Sequence, residues 1–301
     1  MIKLKTGHKI KTHEELKITF AEWGALIGLT VMLHDNMIPM HGDNNPAGAH
    51  VFNLETSCTE NGHCGSVGCI GGYVGMTLGM DIRCASNYVH TNFRLRELYF
   101  PTTALDYDRV TPKEAAKAIC NVLEYGEPMW HRVVTHDQRQ RARYTPYKGK
   151  VLSHNKLNIS FAEWLSLICV RVMLECGAVD HARDTANRIG ALRFLREHEG
   201  VHAFNMGQPL EAANCGTVGC IGGYMGSMMF VSPRRASEYV MAHDPDYGDY
   251  KKKGLCDLFF PRINRSRCLV NYDKIDTKMA VQAIDNFLTT GKPNWEKVLA
   301  K

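Results

Sequence analysis

The segment CGSVGCIGGYVG at residues 64–75 returns at 215–226 as CGTVGCIGGYMG, with ten of its twelve positions identical. Its surroundings return in the same order. ITFAEW (18–23) recurs as ISFAEW (159–164), HVFNL (50–54) as HAFNM (202–206), and ASNYV (85–89) as ASEYV (236–240). LYFP (98–101) recurs as LFFP (258–261), and AICNVLEYGEPMW (118–130) as AIDNFLTTGKPNW (283–295). A chain of 301 residues built this way is a tandem duplication. Each copy spans about 120–140 residues, an ordinary domain size, and the period is too long for a solenoid. The expected division is a first repeat domain over 1–133, a basic polar linker over 134–150 and a second repeat domain over 151–301, with the copies related by a pseudo-two-fold.

Local signals favour helices. Thr19-Phe20-Ala21-Glu22 and Ser160-Phe161-Ala162-Glu163 are capping boxes, each followed by a tryptophan, Trp23 or Trp164. Thr111-Pro112-Lys113-Glu114 joins an N-cap to a proline in the first turn, and that helix should end at Tyr125 with Gly126 as its left-handed terminator. Its counterpart should run from Asp276 to Thr290, before Gly291. Segments 85–98 and 236–243 read as further helices. Period-two alternation is weak, so the expected fold class is all-α, with short strands confined to the lysine-rich stretches near 2–5 and 149–153. The copies differ most between their first helix and the HVFNL/HAFNM segment. The first has HDNMIPMHGDNNPAG (34–48), rich in turn formers, whereas the second has the helical-looking DHARDTANRIGALRFLREHEG (180–200). The second also inserts HDPDYGDYKKKG at 243–254. Divergent loops on a shared scaffold are where the copies can take on different roles.

With 45% hydrophobic and 22% charged residues, the chain can build real cores. No apolar run of about eighteen residues predicts a membrane span, and the first residues, MIKLKTGHKIKTHEELK, lack the apolar core of a secretion signal. Eleven scattered cysteines without such a signal read as reduced thiols in a cytoplasmic protein. The net charge of +5 does not by itself call for nucleic acid.

Four readings of the glycine–cysteine segment follow from its residue types. In the first, Ser66 and Thr217 cap a helix whose Gly68, Gly71 or Gly72, and Gly75 form one bare face for a close neighbour. The equivalents are Gly219, Gly222 or Gly223, and Gly226. Interior glycine costs a helix about 1 kcal/mol against alanine, so the repetition implies close approach. In the second, the helix start binds a small anion. Gly65, Ser66, Val67 and Asn53 would form that site, with Gly216, Thr217, Val218 and Asn205 in the second copy. In the third, Cys64 or Cys215 is a nucleophile activated by the helix start, with His50 or His202 as base and the asparagine nearby. In the fourth, His50, Cys64 and Cys69 hold zinc, as do His202, Cys215 and Cys220. Cys58 or His63 would complete the first set, and the second copy has no equivalent of either. Elsewhere, Arg139, Arg141, Arg143, Lys148 and Lys150 alternate with Tyr144 and Tyr147, a pattern that suits either a nucleic-acid-contacting arm or a solvated linker.

The combined order is Phe-Asn-Leu/Met, Cys-Gly-Ser/Thr-x-x-Cys-Ile-x-Gly, Leu-x-Phe-Pro and a capped helix ending in Gly-x-Pro-x-Trp. It resembles a family of small proteins frequent in bacteriophage and bacterial genomes. The matching residues are Phe52, Asn53, Leu54, Cys64, Gly65, Ser66, Cys69, Ile70, Gly72, Leu98, Phe100, Pro101, Gly126 and Trp130, and again their second-copy equivalents from Phe204 to Trp295. That family is usually single-copy, and it has Trp or His where this chain has Tyr73 and Tyr224. The resemblance implies a viral or mobile-element origin and the host cytoplasm as the setting, and it carries over no catalytic residue. The expectation taken forward is a non-enzymatic binding protein without a cofactor, an accessory protein of phage type that captures a protein or a small anionic ligand. Host takeover or anti-defence are the roles associated with that origin. The alternatives are a cysteine-dependent hydrolase or transferase, and a structural zinc-binding or nucleic-acid-binding protein.

Overall fold

The computed structural model describes residues 2–3, 9–42, 45, 48–61, 65–101, 107, 110–134, 151–198, 200–213, 216–230, 232–244, 253–261 and 270–300. The chain divides into two compact units, Met1–Pro146 and Tyr147–Lys301. Cys64, Cys215, His63 and the Arg139–Lys150 segment fall outside the described residues.

The first unit opens with a two-stranded antiparallel ribbon, β1 (Ile2–Lys3) and β2 (Lys9–Ile10). Two capped helices follow, α1 (His13–Leu16) and α2 (Phe20–His34), both closed by the Thr/Glu capping box. α2 is buried on every side from Glu22 to Leu33, the condition of a helix apolar all round. Then come β3 (His50–Phe52), β4 (Cys58–Asn61) and β5 (Gly65–Gly68). The unit finishes with α3 (Ile70–Thr77), α4 (Ile82–Thr91), α5 (Arg96–Tyr99), α6 (Pro112–Tyr125) and α7 (Trp130–Val133). β5 is the central strand, parallel to β3 and antiparallel to β4. α3 packs on this sheet, and α2 packs against α3 and α6.

The second unit repeats this order from α1 onward, with β6 and α10 added before its sheet. It comprises α8 (His154–Leu157), α9 (Phe161–Cys176), β6 (Asp180–His181), α10 (Arg188–Glu197), β7 (His202–Phe204), β8 (Leu210–Ala213), β9 (Gly216–Gly219), α11 (Ile221–Met229), α12 (Pro233–Met241), α13 (Lys253–Phe259), α14 (Thr277–Thr290) and α15 (Trp295–Leu299). Its sheet has the order β6-β7-β9-β8, with only β8 antiparallel. A single bridge, Met40 to Phe52, takes the place of β6 in the first unit.

The all-α expectation is therefore corrected: each unit is α/β, with helices laid on a mixed sheet. The strands are only two to four residues long, and the central one in each sheet is GSVG or GTVG. All four residues of β5 are buried, so the burial that produces alternation in a half-exposed strand is missing. Near 2–5 a strand does form, but 151–153 has none. The helix expected over 85–98 is broken into α4 and α5, and 236–243 lies in and just beyond α12. The helices ending at Gly126 and Gly291 terminate as expected, both glycines at positive φ.

The duplication extends to individual hydrogen bonds. The indole Nε1 of Trp23 donates to the Lys11 carbonyl at 3.0 Å, and that of Trp164 to Leu152 at 3.0 Å. Trp130 donates to Glu97 at 2.9 Å, and Trp295 to Asp257 at 3.0 Å. Asn121 and Asn286 each donate to a proline carbonyl, Pro128 and Pro293, at 3.0 Å. No helix among the described residues is long and apolar enough to cross a membrane.

Candidate functional site

The glycine–cysteine segment is a strand–helix corner. Gly65–Gly68 runs through the middle of the sheet, Cys69 is the N-cap, and α3 turns back across the strands. Gly216–Gly219, Cys220 and α11 do the same in the second unit. Ser66 and Thr217 are thus strand residues, not helix caps, because backbone pairing on both sides holds 65–68 and 216–219 extended.

The glycines meet three different neighbours, not one. A side chain at Gly71 would press on the Tyr99 ring at 2.9 Å, and one at Gly222 on the Phe259 ring at 2.9 Å. At Gly75 it would meet the Ala85 backbone at 2.9 Å, and at Gly226 that of Ala236 at 2.8 Å. At Gly72 and Gly223 it would land on a carbonyl oxygen, that of Ser57 or Pro209. Gly65 and Gly216 are hemmed by the Ala49 and Val201 carbonyls in the same way. Close approach to the glycine backbone, by main chain at most of these positions and by an aromatic ring at Gly71 and Gly222, is therefore the reason for the composition. Ile70, Gly71 and Gly72, the first turn of α3, are all buried, as are Ile221, Gly222 and Gly223.

Parallel register places His50 opposite Ser66 and His202 opposite Thr217. His50 Nδ1 lies 2.9 Å from Ser66 Oγ, and His202 Nδ1 2.9 Å from Thr217 Oγ1. The hydroxyl of Tyr224, one turn into α11, donates to the Ala203 carbonyl at 2.7 Å and accepts from Thr217 Oγ1 at 3.1 Å. Tyr73 donates to Val51 at 2.8 Å and sits 3.5 Å from Ser66 Oγ. Once the tyrosine proton lies on the carbonyl and the threonine proton on the tyrosine oxygen, His202 is the remaining donor, so its Nδ1 carries hydrogen. Burial pushes both phenols well above their ordinary pKa, and they stay neutral. This chain of histidine, hydroxyl and tyrosine ties the parallel strand pair to the helix in both units. Tyr224→Phe should cost about 1 kcal/mol, because the Ala203 carbonyl keeps its ladder partner and loses only the phenol, while Thr217 Oγ1 loses the oxygen it donates to; urea denaturation of the variant checks this.

Cys69 and Cys220 are equally enclosed. Burial raises Cys69 and Cys220 to about 11, against the opposing pull of the glycine N–H groups at the helix start. Their S–H groups face the Ser57 and Pro209 carbonyls at 3.5 and 3.6 Å. Cys58, pushed up to about 12 by burial and then by Cys69, lies 3.6 Å from the Met76 sulfur. All three thiols are free. Asn53 and Asn205 shape the turns after β3 and β7, accepting from the N–H of Glu55 at 2.8 Å and of Gly207 at 2.9 Å. Asn205 also donates to the Ala182 carbonyl and to Asp273. Val67 and Val218 are buried, Val67 at 8% exposure. Of the zinc set, His50 turns Nδ1 to Ser66 while Cys69 faces Ser57. Within either unit, the described residues bring no three His, Cys, Asp or Glu ligand atoms within 4.8 Å of one another.

Sequence reading missed a second recurring network. Glu22, which closes the α2 capping box, accepts from Tyr88 and from Asn92 through its other oxygen, each at 2.6 Å. Glu163 accepts from Tyr239 at 3.1 Å. Both carboxylates are buried. The recurrence of tyrosine in ASNYV and ASEYV was the signal. No family model, curated protein or solved structure matches the chain.

Proposed function

We propose that this is a non-enzymatic interaction protein whose two α/β units repeat the same internal design and present different surfaces. The observation that carries this reading is where the copies agree and where they part. The strand–helix corner, its tyrosine and the tryptophan ties are repeated contact for contact. The chain between the third parallel position and the next strand is what differs: 41–50 in the first unit, 182–202 with α10 in the second. Repetition that strict in glycines, thiols and hydroxyls serves a fold, and divergence between the copies outside it serves recognition. The resemblance to phage-type proteins supports an accessory role in a host cytoplasm, with host takeover or anti-defence as its setting.

Iodoacetamide labelling of the native protein, mapped by mass spectrometry, tests this against a cysteine-dependent enzyme. Cys84 is exposed, although Asp81 beside it raises its pKa, and it should label before Cys58, Cys69 and Cys220. A thiol at Cys64 or Cys215 that labels far faster than Cys84 would replace the binding reading with the enzymatic one.

A further inference from the structure

We propose that the outer face of α10 is a docking surface for an acidic protein segment that carries an aliphatic side chain. The proposal rests on the interaction-protein reading and names the class of partner. α10 belongs to the second unit alone, and its inner face is firmly seated. Ala191 and Leu195 are fully buried against Ala182, Ala203 and Val218, with Phe194 at the margin. Asn187 caps the first turn by accepting from the Gly190 N–H at 3.0 Å, and Gly190 lies tight against the Asp184 carbonyl. The helix therefore holds its outer residues in fixed positions.

Those outer residues form an unusual line. Ile189 is 74% exposed. Arg193 and Arg196, four and seven residues on, share its side of the helix and are exposed. Arg188 flanks the line, 76% exposed and 3.2 Å from Glu211. The nearby acids are Asp184 and Glu197 at the two ends and Glu211 against Arg188, which leaves Arg193 and Arg196 as the cationic pair beside Ile189. An aliphatic side chain followed along the same side of the helix by two exposed guanidinium groups matches a partner with an apolar contact flanked by carboxylates. Arginine supplies bidentate pairing and the aliphatic contact excludes water. A nucleic-acid backbone would satisfy the arginines but set phosphates against Ile189, so the protein partner is favoured.

The test is fluorescence anisotropy of the full chain with three labelled probes: a peptide with leucines along one helical face and glutamates around them, its lysine-for-glutamate version, and a short DNA duplex. The acidic peptide should bind, and the lysine version should not. Its affinity should fall about tenfold in Arg193→Ala/Arg196→Ala and again in Ile189→Ser, and stay unchanged in Arg234→Ala/Arg235→Ala on α12. All these side chains are exposed, so thermal melts should match the parent. The proposal is overturned by equal peptide affinity across the variants, by no measurable binding, by duplex binding that exceeds peptide binding and is lost with the arginines, or by an Ile189→Ser variant that binds like the parent. None of these outcomes bears on the thiol-labelling result, so the two readings fail separately.

Discussion

Gly223→Leu should unfold the second unit at markedly lower denaturant than the parent, and Gly72→Leu should do the same to the first. The reason is the nature of the neighbour. Overpacking a core typically costs about 1–3 kcal/mol, because side chains around the intruder move to other rotamers. Here the first atom of any side chain lands on a main-chain carbonyl, that of Pro209 or Ser57. That carbonyl belongs to the turn leading into β8 or β4, and it also faces the Cys220 or Cys69 thiol. Relief requires the turn to shift, so the cost should reach the upper end of that range. Gly71→Ala, which meets only a Tyr99 ring, should cost less. Urea midpoints rank the three variants, and a Gly72→Leu, Gly223→Leu double variant that unfolds like the parent would remove the packing account of the motif.

Arg171→Ala should cost about 1–3 kcal/mol, below the range for orphaning a fully buried charge, because the carboxylates left behind reach water. Arg171 is buried in α9. Its guanidinium pairs with Asp285 of α14 through two nitrogens, at 2.9 and 3.2 Å, and with Glu175 one turn along. Asp285 and Glu175 keep 35% and 32% of their side-chain surface in water, which limits the penalty of losing the arginine. The aligned positions in the first unit hold Thr30 and Cys120, so the fold needs no ion pair there. Arg171→Thr/Asp285→Cys removes the Arg171–Asp285 pair and leaves only Glu175, one-third exposed to water, so it should recover part of the loss. A double variant as unstable as Arg171→Ala would show that packing, not an unpaired carboxylate, sets the cost.

What could be read in advance, and what could not, follows from the range of the interactions involved. The capping boxes at Thr19 and Ser160 and the left-handed glycines at 126 and 291 are local hydrogen-bond arrangements, encoded within a few residues, and the chain adopts them. The strands are different. Gly65–Gly68 owes its extended form to His50–Phe52, about fifteen residues earlier in the chain, and to Cys58–Asn61. Glycine is a poor strand former, and at Gly65 it is required because the Ala49 and Asn61 carbonyls leave no room for a side chain. A helix start at Ser66 was a sound local inference from residues whose conformation is decided elsewhere. The pairing of His50 with Ser66 is likewise a consequence of sheet register, beyond any spacing rule. The partnership of Tyr73 with the strands could have been anticipated from its recurrence as Tyr224, since a tyrosine amid glycines has few other places to put its hydroxyl.

The four indole-to-carbonyl bonds also divide the chain optically. Each unit carries two tryptophans, buried at matching positions, so intrinsic emission weights the two halves alike. Replacing one pair by phenylalanine leaves a chain whose fluorescence comes from one unit only. Two such proteins would make the unfolding of each half separately visible within the intact molecule.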